Sequence, residues 1–368
     1  MRIMRSGIVF ALLAMLLGGC YDQTNLEDIT LALTLGIDVN EDNELLIYTS
    51  SPVFSKEAKQ KTEDYGVKAT TIRQARGRLD SMVTAMTKSG KIQSILIGKQ
   101  VLEQPGWFKL LDTLMRDAKM TVNSRIIAVD GSVADFMEFT PEDKPRLSQH
   151  IAKLIDTASR RNISFKTTVQ EFHRQMFDKG MTPFVAELKK KRQLEITGAA
   201  LLDERGKYAT SLGLQETTLL QLLQNEKKAD TSLTIPLPAA STDGQLLNNR
   251  ASFYVKRAKT KIRPTFEKGK FVFQVKLSLD AAISENLNSD VQEEQIGPII
   301  QAELDKEVTS LIRKLQKHRV DPVGFGMYAR AYTYREWEKV KDRWAESFAE
   351  ADIRLVTSVR VVGTGIMQ

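Results

Sequence analysis

The stretch ASFYVKRAKTKIRPTFEKGKFVFQVKLSLD fills residues 251–280. Apolar and polar side chains alternate through 251–263 and again through 270–280. A period of two puts one face of each strand on a core and the other in solvent. Between the strands, Glu267-Lys268-Gly269-Lys270 has the make-up of a tight turn. The stretch therefore reads as a long antiparallel hairpin. Doubly wound parallel sheets use strands that are apolar on both faces, so this pattern points to an α+β unit.

The surrounding residues extend that unit. Pro298 suits the first position of a long helix. Ile300, Leu304, Val308, Leu311 and Leu315 give that helix its apolar stripe. Trp337, Val340, Trp344 and Phe348 mark a second helix, and residues 353–362 read as a closing strand. The order β-β-α-α-β predicts two helices packed on one face of the long antiparallel strands. Residues 236–249, PLPAASTDGQLLNN, are loop-like and open this C-terminal domain, which spans 236–368.

Upstream, residues 139–235 are expected to form a mostly helical domain with a hairpin. Ile151, Leu154 and Ile155 mark one helix face, and Val169, Phe172 and Met176 another. Gly180-Met181-Thr182-Pro183 interrupts the pattern. Phe184, Val185 and Leu188 resume it, with Lys189-Lys190-Lys191-Arg192 at the helix end, where cations complement the dipole. GAALLDERGKYATSLG (198–213) reads as a hairpin around Asp203-Glu204-Arg205-Gly206. A helix over 215–225 and the strand SLTIPL follow.

Residues 21–138 read as strand, strand, helix, strand, helix, strand, an N-terminal α/β domain. ITLALTLGI (29–37) pairs with LLIYT (45–49) in a hairpin. The linker between them carries Asp38, Asn40 and Asp42 at calcium-loop spacing. Its sixth position is Asn43 rather than Gly and its twelfth is Thr49 rather than Glu, so a solvated turn is the better reading. Residues 55–68 are polar and loop-like. A helix from Thr71 carries Ile72, Ala75, Leu79, Met82, Val83 and Met86. Arg73, Arg76 and Arg78 lie off that stripe, as on a solvated face. IQSILI (92–97) and SRIIAV (124–129) are strands. Trp107, Leu110, Leu111, Leu114 and Met115 mark the helix between them.

The first residues are of another kind. Arg2 and Arg5 precede the apolar run Ile8–Leu17, which is shorter than the roughly 20 residues of a membrane span and has the length of a signal peptide. Leu17-Gly18-Gly19-Cys20 follows, with the only cysteine of the chain. This resembles a bacterial lipobox. The thiol takes a diacylglyceryl group as a thioether, and the small Gly18 and Gly19 admit the peptidase that cuts before Cys20. Residues 1–19 are thus expected to be removed and Cys20 to carry fatty acyl chains, each buried CH₂ adding about 0.8 kcal/mol of membrane affinity. No other stretch is apolar for long enough to span a bilayer.

Composition narrows the function. The chain has 368 residues, 42% of them hydrophobic, and a formal charge of +7. The basic excess is mild and spread out, unlike the dense basic and aromatic patches of nucleic-acid binders. A single cysteine excludes an intramolecular disulfide and any zinc site with two thiolates. His150, His173 and His318 are scattered and lack partners at ligand spacing. No Walker loop, GxSxG elbow or HExxH motif occurs, and Gly363-Thr364-Gly365 is a lone GxG. Glu285 reads as a cap at a strand end, and Trp337 and Trp344, seven apart, as core or interface. These features favour binding or assembly over catalysis, with no metal and no cofactor beyond the lipid on Cys20.

Segment by segment, the chain resembles the Ger(x)C family, the C-subunit lipoproteins of spore nutrient germinant receptors. The resemblance runs through Cys20-Tyr21-Asp22, Leu35-Gly36-Ile37-Asp38, Ile95-Leu96-Ile97-Gly98-Lys99, LLDTLMRD (110–117), IAVDG (127–131) and residues 198–217. It ends at Asp321-Pro322-Val323-Gly324-Phe325-Gly326, Trp337 and Trp344. Tyr21 stands where the family usually has Trp, and Pro322 is a second departure. The resemblance implies an elongated fold of three α/β domains and no enzymatic activity. It also implies a place on the outer face of the spore inner membrane, and integral membrane A and B subunits as partners. A solute-binding lipoprotein of a transporter is the alternative. It would call for two similar lobes of βα units around a cleft, whereas the halves here differ.

Overall fold

The computed structural model describes residues 29–364 apart from 55–56, 84, 118–120, 140–144, 229–230, 239–248 and 288–290. Leu17, Gly18, Gly19 and Cys20 lie outside the described residues, as does Gly365.

The long hairpin is present and longer than its alternation suggested. β12 (Arg250–Glu267) and β13 (Lys270–Asn286) pair antiparallel from Ala251↔Asn286 to Glu267↔Lys270. Lys268 and Gly269 turn the chain with positive φ. β11 (Ser232–Pro236) joins one side of β12, and β14 (Asp352–Thr364) runs parallel to β13 on the other, giving a 4-stranded sheet β11-β12-β13-β14. A parallel neighbour needs a crossover, and the helices after β13 supply it. Phe253, Val255, Phe273, Val275 and Leu277 face those helices and are buried.

The other strands form an 8-stranded sheet in the order β10-β9-β8-β7-β6-β2-β3-β4. Its centre is parallel: β2 (Thr34–Val39), β6 (Ser94–Gly98), β7 (Arg125–Asp130) and β8 (Phe184–Lys190). Antiparallel strands flank it, β3 (Leu45–Pro52) and β4 (Thr62–Ala69) on one side, β9 (Leu194–Leu202) and β10 (Tyr208–Leu212) on the other. This sheet crosses the expected divide at 138/139, and β11 pairs across the one at 235/236. β1 (Ile29–Leu31) and β5 (Met86–Lys88) make a separate parallel pair.

Helices cover both faces of the large sheet. On one lie α1 (Ile72–Asp80), α2 (Lys99–Leu102), α3 (Lys109–Met115) and α6 (Val169–Phe177), around Ile37, Ile95, Ile97 and Val185. Thr71 and Thr168 start α1 and α6, each hydroxyl accepting a backbone N–H three residues on. α4 (Val133–Met137) and α5 (Leu147–Arg160) cover the other face, around Leu96, Ile127, Ala186 and Leu188. Beside them α7 (Leu214–Leu223) is buried on all sides from Thr217 to Leu223. It lies between Ala199, Leu201 and Leu212 of the large sheet and the core of the small one. Its polar Thr218 and Gln221 donate to the Asn162 carbonyl at 2.8 and 3.0 Å.

Several expectations change. Phe184–Lys190 is a strand, not a helix. It sits in the middle of the sheet with Phe184 to Leu188 all buried, and a strand buried on both faces has no period to separate it from a helix. Residues 62–69 are an edge strand rather than loop. Its alternation is carried by Glu63, Tyr65 and Val67 against Asp64 and Lys68, charged as edge strands are. The run 29–37 is split between β1 and β2. α1 stops at Asp80, leaving Met82 and Met86 exposed. The long helix α8 (Glu293–Lys317) begins ahead of Pro298, which lies inside it. After α9 (Phe325–Tyr332), the second helical stripe is divided among α10 (Tyr334–Glu338), a 3-10 turn (Lys341–Arg343) and α11 (Trp344–Ala349). Trp337, Trp344 and Phe348 still enter the one core.

Candidate functional site

A crevice opens at the carboxyl ends of β2, β6 and β7. The chain leaving β6 enters α2 and α3 on one face of the sheet, and the chain leaving β7 enters α4 on the other. Such a reversal is where open α/β sheets form ligand clefts. The crevice encloses about 700 Å³ and is lined by Asp38, Tyr48, Lys99, Glu103, Asp130 and Ser132, among others.

Its charges are held by the protein itself. Asp38 is buried, and its carboxylate accepts the N–H groups of Val39 at 3.0 Å and Val133 at 2.8 Å. Burial pushes this carboxyl up, with the two N–H bonds pulling the other way. A side chain at Gly98 would stand 2.2 Å from Asp38 Oδ1, so only glycine fits there. Lys99 lies 4.4 Å over the Tyr208 ring and 3.8 Å from Glu187. Burial would lower this ammonium; Tyr208, Glu187 and Asp130 together outweigh it and raise it. Lys189 hydrogen-bonds Asp130 at 2.7 Å and holds it below the usual carboxylate range against burial. The crevice is thus a polar pocket in which Lys99 and Asp130 are each held by a neighbouring charge.

A second constellation joins the two sheets. Asp321, at 0% exposure, accepts the N–H groups of Gly324 (2.8 Å), Phe325 (3.0 Å) and Gly326 (2.9 Å) and the Trp344 indole N–H (2.9 Å). Burial pushes its carboxyl up to about 6 against these donors. Its own carbonyl accepts Thr182 N–H at 3.0 Å, and Met327 N–H donates to the Gly180 carbonyl at 3.1 Å. A side chain at Gly326 would meet the Trp344 ring at 2.7 Å and Gly180 Cα at 2.8 Å, so glycine lets the two backbones touch. Gly324 adopts φ 84°, a left-handed conformation that costs glycine nothing. Arg330 pairs with Asp178 and Lys179 with Asp342 beside this contact. The arrangement fastens the C-terminal sheet to the segment after α6.

The candidates singled out from sequence are dispersed. His173 stacks beside Phe177 and Phe108 on α6, and His318 follows α8. His150 lies on α5. No cluster of three or more potential metal ligands occurs among the described residues. Asn40 closes a hairpin turn, its side-chain oxygen accepting Asp42 and Glu44 N–H, while Asp38 turns inward. Arg73 and Arg76 flank a small apolar cavity under α1. Lys189, Lys190 and Lys191 do not cap a helix: they bind Asp130, the Asp135 carbonyl and Glu195 from strand β8 and just beyond it. Glu285 is exposed near the end of β13. The segment 321–326 is legible as a signature, but the role of Asp321 within it depends on the Trp344 indole and on backbone N–H groups, which residue type alone does not show.

Comparison with known proteins agrees with the whole-chain resemblance. Residues 22–190 match the family profile described as spore germination protein N-terminal domain. Residues 197–365 match that described as spore germination B3/GerAC like, C-terminal. Spore germination protein B3 of Bacillus subtilis (strain 168) is 25% identical over 379 residues, covering 98% of this chain and 97% of its own. Spore germination protein A3 of the same organism is 24% identical, with 95% of each chain covered. Spore germination protein GerQC of Bacillus cereus is 21% identical, covering 99% and 100%. The crystal structure of the GerBC protein superposes with a TM-score of 0.56 at 18% identity, over 89% of this chain and 96% of that one, and shares the fold. With both profiles matched in order along most of its length, the chain belongs to the Ger(x)C family of spore germination proteins.

Proposed function

We propose that this protein is the lipid-anchored C subunit of a spore germinant receptor. In this reading the mature chain begins at Cys20, carries diacylglycerol and fatty acyl groups there, and lies on the outer face of the spore inner membrane. It assembles with integral membrane A and B subunits and serves the nutrient response without catalysing a reaction. The observation that carries the reading is the end-to-end match to spore germination proteins. The lipobox Leu17-Gly18-Gly19-Cys20 supports the anchor. Among the described residues no helix is long and apolar enough to cross a membrane. The Lys99–Glu187 and Lys189–Asp130 pairs of the crevice and the fully hydrogen-bonded Asp321 suit a scaffold better than an active site.

Cys20→Ala tests the proposal. The variant should accumulate as an unprocessed precursor, fail to incorporate labelled palmitate and slow germination through its receptor. Normal processing and membrane retention would refute the anchor. Affinity capture of the lipidated protein from spore membranes should recover multi-span partners. Recovery of the protein alone, with tight nutrient binding of its own, would instead support a solute-binding lipoprotein.

A further inference from the structure

The helices pack on one face of the 4-stranded sheet, and among the described residues no element covers the opposite face of β12, β13 and β14. That face is basic. Lys259, Lys261 and Arg263 point outward from β12 and Lys276 from β13, all exposed. In the register Lys261 stands directly opposite Lys276, and Lys276 is beside Val356 of β14. One step along, Arg263 neighbours Gln274 and then Arg354. Asp280 on this face is taken by Arg360 at 2.8 Å, and Glu267, Asp352 and Glu285 lie toward the ends of the strands. Arg354 is paired with Asp352 at the sheet's end. Among the described residues no ion pair holds Lys259, Lys261, Arg263 or Lys276.

Like charges directly opposite on neighbouring strands destabilise a sheet. A Lys261–Lys276 pair flanked by Arg263 and Lys259 is therefore a local conflict, of the kind found where function opposes stability. The cations surround a shallow depression whose floor includes Gln274 and Val356. Val356 is 59% exposed and Tyr254, on the same face, 44%. A row of exposed cations with a few apolar and tyrosyl side chains between them matches a bilayer's headgroup layer. Stacking aromatics in the number that single-stranded nucleic acid requires are not on this face.

We propose that the outer face of β12–β14 docks on the headgroups of an anionic phospholipid bilayer. The inference deepens the proposed function: an acyl anchor at Cys20 would hold the protein at that surface, and the basic face would set its orientation there. Each interfacial Lys or Arg contributes about a fivefold factor in partitioning, and the attraction decays within a Debye length.

The test uses the chain without residues 1–19 and with Cys20→Ala, which leaves every described residue in place and removes any acyl contribution. It is sedimented with vesicles of phosphatidylcholine alone, or with about one-third phosphatidylglycerol, at about 0.05 M and 0.5 M salt. Binding to the anionic vesicles at low salt, lost at high salt and absent with phosphatidylcholine, is expected. Lys261→Gln/Arg263→Gln/Lys276→Gln should weaken it by about a hundredfold, and Lys276→Gln alone by about fivefold with no loss of thermal stability. The equally charged control Lys306→Gln/Lys317→Gln/Lys339→Gln, on and near the helices, should bind as the parent does. Equal loss in the control, binding to neutral vesicles or no binding at low salt would overturn the proposal. So would capture by polyglutamate in preference to vesicles, which would point to an acidic protein instead. Because no acyl chain is present, the result stands apart from the fate of the Cys20 reading.

Discussion

Asp321→Asn removes the charge at the junction between the sheets while keeping its shape. Three backbone N–H groups and the Trp344 indole converge on the carboxylate at 2.8–3.0 Å with no solvent contact. The amide that replaces Oδ1 or Oδ2 directs its own hydrogens at two of these donors, stranding them. Removing one partner of a buried charged network costs about 3–5 kcal/mol. The cost also depends on pH. The unfolded carboxyl titrates near 3.8 and the folded one near 6. Between these values the folded state binds more proton, so this contribution to stability is complete below about 4 and is lost as pH rises through about 6. From pH 7 to pH 5 the parent therefore gains about 1 kcal/mol that the variant does not. Urea titrations of both proteins at pH 7 and pH 5 measure it; the other acids are common to both and cancel in the difference. A loss under about 1 kcal/mol at pH 7, or a gap that narrows at pH 5, would show that the four donors do not anchor the junction.

Gly98→Ala should cost about 1–3 kcal/mol, because its Cβ would lie 2.2 Å from Asp38 Oδ1, which accepts the Val39 N–H, and would displace the buried carboxylate; an unchanged melting temperature would refute it. Ile300→Ala, at 0% exposure on α8, should cost about 2–5 kcal/mol by leaving a cavity under the small sheet, read as a shifted urea midpoint at constant slope. Trp107→Phe keeps the ring packing on Phe172 but loses the 2.6 Å bond to the Gly206 carbonyl. It should cost about 1 kcal/mol in thermal unfolding.

What could be read from sequence follows from where each signal resides. The hairpin 250–286 is legible because one face is wet and the other dry, so alternation survives. β8 is not, because both its faces are buried and Phe184, Val185 and Leu188 fit a helix as well as a strand. β4 was hidden by its own polarity, which protects a sheet edge. The short helices after residue 325 share one buried face, so Trp337, Trp344 and Phe348 kept a helical period across breaks that the period does not record. The proposed lipobox is a matter of local chemistry, read from the four consecutive residues Leu17 to Cys20. Asp321 caps the N–H groups of Gly324 to Gly326 close by in sequence, but its bond to the Trp344 indole, like that of Asp38 to Val133, spans residues that spacing does not connect.

The sheet that carries the basic face also imposes an order of assembly. β12 and β13 meet across a two-residue turn, and a hairpin of that kind closes in about 1–10 μs. β14 pairs with β13 at a separation of 80 residues, as Arg360 and Asp280 show, and must wait for α8 to α11 to bring it back. In the interval the hydrogen-bonding edge of β13 is uncovered along more than half its length, beside lysines that repel another copy of the same edge. The charges we assign to a membrane surface thus also guard the protein against self-association while it folds.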